Sequence, residues 1–119
     1  MSLLKVNIPK ELQEKAFEAV EIAKKTGKIK KGSNEVTKTV ERGTCKLVIV
    51  AEDTNPIEVV MHLPVLCDEK AIPLISVAKR EELGAAAGLS VPTSAISIMT
   101  EGDAKDLIKE IISKLKDLK

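Results

Sequence analysis

The amino-acid sequence predicts an α/β fold, a three-layer α/β/α sandwich around a small mixed sheet. Three observations predict it. Helical and strand-like segments alternate along the 119 residues, the pattern of layered α/β domains with short connections. The run Lys46-Leu47-Val48-Ile49-Val50-Ala51 is apolar after its first residue and β-branched, as suits a strand covered on both faces. Leu107, Ile108, Ile111, Ile112, Leu115 and Leu118 recur at the spacing of one helix face. The length fits a single domain over 1–119 with a sizeable core.

Taken in order, Pro9 fits the first turn of a helix over about 9–25, where its missing N–H costs little. Leu12, Ala16, Phe17, Val20 and Ala23 form its apolar face, with Phe17 in the core, and Gly27 stops it. Residues 28–31 read as a short strand or an extended connector. Helix resumes over about 34–42 and ends at Gly43, with Val36 and Val40 facing the core. The strand 46–51 is followed by the polar loop Glu52-Asp53-Thr54-Asn55-Pro56. A helix over about 57–70 carries Val59, Val60, Leu63, Leu66 and Cys67, and Pro64 should kink or split it. A strand over 72–77, a short helix over 79–87, a loop over 88–94 and a strand over 95–99 follow. In the last helix Asp103 is expected as N-cap, with Asp106 three residues on.

Charge is unevenly spread. From Lys24 to Lys46 there are eight basic residues (Lys24, Lys25, Lys28, Lys30, Lys31, Lys38, Arg42, Lys46) against Glu35 and Glu41, or +6. The whole chain carries +1, so the remainder carries −5. Such asymmetry is a candidate electrostatic footprint. Trp and Tyr are absent and Phe17 is alone, which excludes a sheet of aromatic platforms for stacked bases. Cys45 and Cys67 adjoin apolar sequence and read as buried free thiols in a reducing, intracellular setting. Met1-Ser2-Leu3-Leu4-Lys5 lacks a long apolar leader, and no run reaches membrane-spanning length.

Catalytic chemistry finds little support. There is no Gly-x-Gly-x-x-Gly or Walker loop, and Gly84-Ala85-Ala86-Ala87-Gly88 is a small-residue helix between glycines. His62 reads as an ordinary helix histidine, and Cys67, five positions on, points elsewhere. Zinc would need more ligands. No cofactor is expected. Asp53 follows a strand, where catalytic acids do occur, but a solvated loop or a helix cap accounts for it as well.

Binding is better supported. Lys30-Lys31-Gly32-Ser33-Asn34-Glu35-Val36-Thr37-Lys38 reads as a loop turning into a helix start. Gly32 allows a backbone conformation closed to other residues. Ser33 or Asn34 is expected to cap the helix, and Glu35 lies near its positive end. Asn34 and Lys38 share a face, and Glu35 neighbours Lys38. Asn both donates and accepts, Glu only accepts and suits a guanine edge, and Lys only donates. A capped, solvated helix start with an internal Glu–Lys pair fits the same nonapeptide. Thr37 supports either the turn or the reading face. Lys79 and Arg80 follow a strand end and either join the basic surface or solubilise a helix start. Leu89 and Val91 either seal the core or form an aliphatic lip.

The segment Lys31-Gly32-Ser33-Asn34-Glu35-Val36-Thr37-Lys38, followed by Arg42-Gly43 and the strand 46–51 with Glu52-Asp53, resembles the L7Ae/L30e family of kink-turn RNA-binding proteins, and most of all its archaeal ribosomal branch. Pro56, His62-Leu63-Pro64, Cys67, Ile72-Pro73, Lys79, Leu83-Gly84, Gly88 and Pro92 fall in the expected order, so the resemblance covers essentially the whole chain. It implies a compact α/β/α sandwich that recognises tandem sheared G·A pairs in a bent internal loop. By position, Asn34 and Glu35 would contact the two guanines, with Lys38 beside them. Lys31, Gly32 and Thr37 would approach the RNA backbone, and Lys79 the region of the protruding nucleotide. Leu89, Ser90, Val91 and Pro92 would pack on that flipped-out base, with Glu52, Asp53 and Ile57 at the pocket edge. The resemblance further implies 23S rRNA, box C/D and H/ACA guide RNA and RNase P RNA as targets, and Nop5 and fibrillarin as box C/D partners. It implies a cytoplasmic protein, monomeric when free, without membrane or catalytic role. Two other readings compete. One is a small α/β enzyme using a strand-end cleft at Asp53. The other is a protein-interaction module without RNA, which predicts no basic continuity between Lys31, Lys38 and Lys79.

Overall fold

The computed structural model describes residues 8–118. The N-terminal stretch Met1-Ser2-Leu3-Leu4-Lys5 and the side chain of Leu118 lie outside the described residues. The elements run α1 (Lys10–Thr26), β1 (Lys28–Lys31), α2 (Ser33–Arg42), β2 (Leu47–Ala51), a 3-10 turn (Ile57–Val59), α3 (His62–Glu69), β3 (Leu74–Val77), α4 (Arg80–Ala86), β4 (Ala95–Thr100), a second 3-10 turn (Gly102–Ala104) and α5 (Lys105–Leu118). The strands form one sheet in the order β1-β4-β2-β3. β4 is antiparallel to both β1 and β2, and β2 is parallel to β3. The expected mixed sheet between helical layers is what forms.

Alternation along the strands divides the core. Leu47, Ile49, Ile75, Ile96 and Ile98 face one side and pack with α1, α4 and α5 through Ala16, Val20, Leu83, Ile108 and Ile111. Val48, Val50, Leu74 and Ala95 face the other side and meet Val36 and Val40 of α2 and Leu63 and Cys67 of α3. β2 is buried at every position, which explains its unbroken apolar sequence. Phe17, expected in the core, is only partly buried and packs at the margin of the first cluster. Cys45 and Cys67 are buried free thiols. Burial pushes the Cys67 thiol up to about 12, because a thiolate loses its hydration there.

Several boundaries differ from expectation for definite reasons. Pro9 stands one residue ahead of α1, and its carbonyl accepts the Leu12 and Gln13 amides. The segment 57–70 breaks before Pro64, which becomes the third residue of α3, a first-turn site where no intrahelical N–H is lost. Val59 lies in the preceding 3-10 turn, off the α3 stripe, and is exposed. β3 starts at Leu74 instead of Ile72. Asp103 is not an N-cap: it lies inside the turn Gly102–Ala104 and donates its amide to Thr26 Oγ1 at 2.9 Å.

One consequence of the topology positions everything functional. The carboxyl ends of β1, β2 and β3 and the beginning of β4 share a single edge of the sheet, since Lys31 pairs with Ile96, Val50 with Ala95, and Ala51 with Val77. The start of α2, the loop 52–56, the 78–79 connection and the loop 88–94 therefore open on the same side.

Candidate nucleic-acid interface

The start of α2 is built by Gly32. Its φ of 93° and ψ of 147° belong to a region that side-chain-bearing residues avoid. The amide of Gly32 donates to Ala95 O at 2.9 Å, and its carbonyl accepts the Val36 amide at 3.0 Å. Gly32 itself is thus the N-cap, and Ser33 and Asn34 are the first two helical residues. The expected cap by Ser33 or Asn34 does not form: no side chain makes a cap hydrogen bond at this helix end. An N-terminal turn left so presents N–H donors to an anionic or carbonyl oxygen.

Val36, Thr39 and Val40 bury the inner face of α2. The Thr39 and Ser97 hydroxyls, 3.1 Å apart, tie it to β4. With that face fixed, helical periodicity sends Asn34, Glu35 and Lys38 outward, and all three are exposed. Lys38 Nζ lies 3.6 Å from Glu35 Oε1. Such an exposed pair is worth little and can be exchanged for ligand contacts at small cost.

The loop 88–94 forms the opposite wall. It runs back along α4, with the Leu89 amide on Gly84 O at 2.9 Å and the Thr93 amide on Arg80 O at 3.2 Å. The loop comes so near that a Cβ on Gly84 would collide with the carbonyl oxygen of Val91. Leu89 is partly buried against the core, whereas Val91 is 61% exposed and Ser90 and Pro92 are exposed. The two sequence readings therefore divide between the residues: Leu89 seals and Val91 is the lip. Leu89, Ser90, Val91 and Pro92 with Glu81 and Ala85 line a depression of about 320 Å³.

Between the walls stands the end of β2. Asp53 Oδ1 accepts the Arg80 amide at 2.8 Å, so its carboxylate caps the start of α4. Lys79, extended at φ −120° and ψ 123°, precedes that helix and is exposed. Strand order puts Lys31 and Lys79 at opposite ends of the edge, roughly 14 Å apart at three strand spacings. Glu52 and Asp53 lie between them. Lys31 and Lys79 thus flank the edge with acidic residues between them, the spacing that the protein-interaction reading expects, so basic continuity does not separate that reading from RNA binding here. Nor is the 24–46 segment one footprint. Lys24 and Lys25 end α1, Lys28 begins β1, Arg42 ends α2 and Lys46 precedes β2; all five lie toward the far end of the sheet, away from Gly32.

Two features were not foreseen. His62 Nε2 lies 2.7 Å from Thr37 Oγ1, a contact between residues twenty-five apart that no local pattern signals. Gly84 matters as the site of loop approach, where the sequence suggested only a small-residue helix. Among the described residues, no three His, Cys, Asp or Glu side chains come together as a metal ligand set.

Comparison with known proteins agrees with this architecture. The model of the ribosomal protein L7Ae/L30e/S12e/Gadd45 family matches residues 14–108. The solved structure of the Giardia lamblia 15.5kD RNA binding protein is similar with a TM-score of 0.93 and 34% sequence identity, over 100% of this chain and 99% of that one. With the family match spanning most of the chain and the structural likeness all of it, this protein belongs to the L7Ae/L30e/S12e/Gadd45 family.

Proposed function

We propose that this protein is a non-catalytic RNA-binding scaffold that recognises kink-turns. The observation that supports it most is the tip of α2, where Gly32 starts a helix whose outward face is Asn34, Glu35 and Lys38. The Giardia lamblia protein with the same fold is described as binding RNA, and the family match supports carrying that role over.

Regular A-form RNA buries its base edges in a deep, narrow groove. A sharp bend with sheared G·A pairs lays guanine edges open. Glu35 can then accept from guanine N–H groups, Asn34 can donate and accept, and Lys38 can donate to base or phosphate oxygen. Lys31, Gly32 and the first-turn amides face the RNA backbone, and Lys79 sits near the protruding nucleotide. In the loop Leu89, Ser90, Val91 and Pro92, the exposed Val91 and Pro92 supply the apolar surface for a flipped-out base, with Ser90 polar beside them and Leu89 anchoring the loop in the core. Binding the bent RNA better than the straight one shifts its population toward the kink. The carboxylate of Asp53, engaged as the cap of α4, argues against a strand-end catalytic cleft.

The finer reading is that the targets are kink-turns in 23S rRNA, box C/D and H/ACA guide RNA and RNase P RNA. In box C/D particles the bound protein precedes Nop5 and fibrillarin in assembly. Cytoplasmic location and a monomeric free state belong to the same reading. Calorimetric titration with a kink-turn and with a control whose G·A pairs are disrupted tests the proposal. Tight binding to the first and weak binding to the second is expected, and equal binding to both refutes kink-turn recognition.

A further inference from the structure

We propose that His62, on α3, is a positioning residue that sets the peptide plane at the tip of α2 through Thr37. The inference rests on the RNA-binding reading above.

Thr37 Oγ1 donates to Ser33 O at 2.7 Å. A hydroxyl has one proton, so its other contact, His62 Nε2 at 2.7 Å, must donate to it. His62 therefore carries hydrogen on Nε2, which both the corresponding neutral tautomer and the imidazolium supply. The chain of contacts runs from His62 N–H to the Thr37 hydroxyl to the Ser33 carbonyl. That carbonyl and the Asn34 amide belong to one rigid peptide plane. Whatever fixes the carbonyl also aims the Asn34 N–H, and with it the start of the reading face. Thr37 thereby changes role: its hydroxyl is engaged inside the protein, and it transmits position instead of gripping RNA by that oxygen. A threonine that bonds back to the carbonyl four residues earlier also competes with the helical amide for it and perturbs a free helix. The bond from α3 holds that arrangement in one rotamer. His62 and Pro64 sit in the first turn of α3, which Leu63 and Cys67 anchor in the core, so the donor itself is held from below.

The test uses the full chain with His62→Ala, His62→Gln, Thr37→Val and the double variant His62→Ala/Thr37→Val. Affinity is measured for a kink-turn and for a straight duplex of equal length, and backbone amide resonances are followed in the free protein. Each single loss should weaken kink-turn binding roughly 5-fold, the scale of one neutral hydrogen bond, and leave duplex binding unchanged. The double variant should be no weaker than the singles, because the two residues act as one unit. His62→Gln keeps an N–H donor and should restore most of the loss. The Asn34 amide resonance should move in His62→Ala and return in His62→Gln. Wild-type kink-turn affinity in His62→Ala overturns the proposal. So does an equal loss on kink-turn and duplex, which marks a direct charge contact. Failure of the wild-type protein to discriminate the kink-turn would sink the RNA reading alone. An unmoved Asn34 resonance in His62→Ala would still refute the positioning role by itself.

Discussion

The tip of α2 and the loop 88–94 open on the same sheet edge but are held there by opposite means. The tip is held by torsion and hydrogen bonds: Gly32 at φ 93°, its amide on Ala95 O, its carbonyl on the Val36 amide, and Thr37 between Ser33 and His62. It rests on the cluster that contains Val36 and Val40. The loop is held by proximity: Gly84 has no side chain, so the Val91 carbonyl can lie against α4, and Leu89 tucks into the other cluster. One wall is therefore sensitive to backbone conformation and the other to volume. Each is rooted in a different half of the core, and among the described residues they meet only at the Ala95 carbonyl, which accepts both the Gly32 amide and, at 3.3 Å, the Thr93 hydroxyl; damage to one should reach the other through that atom alone.

The largest effect should come from the volume-limited wall. Gly84→Ala puts a Cβ against backbone, which cannot rotate away, and should cost about 3 kcal/mol of stability. Urea denaturation gives that loss, and amide resonances should move over 88–93 but not over 33–38. Movement of both sets would break the independence of the walls. Next, Gly32→Ala keeps open space around the new Cβ but forces an unfavourable φ, at roughly 1–3 kcal/mol of stability. Here the 33–38 resonances should move and the 88–93 set stay. Glu35→Ala should leave urea stability unchanged yet weaken kink-turn affinity by roughly 1–3 kcal/mol, the scale of a paired base contact. Wild-type affinity in that variant would remove Glu35 from the reading face. Val91→Ala removes apolar surface from the lip and should weaken calorimetric affinity by only about 1 kcal/mol. Lys38→Gln should be mildest at moderate salt. Its signature is a salt dependence of binding shallower by roughly 0.7–0.9 in log–log slope, as one lost phosphate neutralisation predicts. An unchanged slope would mean that Lys38 reads a base acceptor instead.

The sequence made the tip legible because its signals are local. A glycine before a polar helix start, with Val36 and Val40 four apart, determines which side chains face outward. The burial of β2 was legible for the same reason, since strand periodicity and β-branching are written in consecutive residues. What stayed hidden is what depends on contacts across the chain. Charge counted along 24–46 is not charge in space, and turning the chain from α1 into β1 and from α2 into β2 sends five of those cations to the far end. Ser33 and Asn34 looked like caps by residue type, yet the Ala95 carbonyl fixes Gly32 in that place first. Gly84 and His62 matter only through Val91 and Thr37, partners that no spacing rule pairs with them.

The strand order leaves β1 at a margin of the sheet with a neighbour on one side only. Three of its four residues are lysines. An unpaired strand is a template for another polypeptide. Here a second molecule aligning itself along that border would have to crowd ammonium groups against its own. The fringe thus discourages growth into stacked filaments, and it does so beside Gly32, where such growth would cover the helix tip.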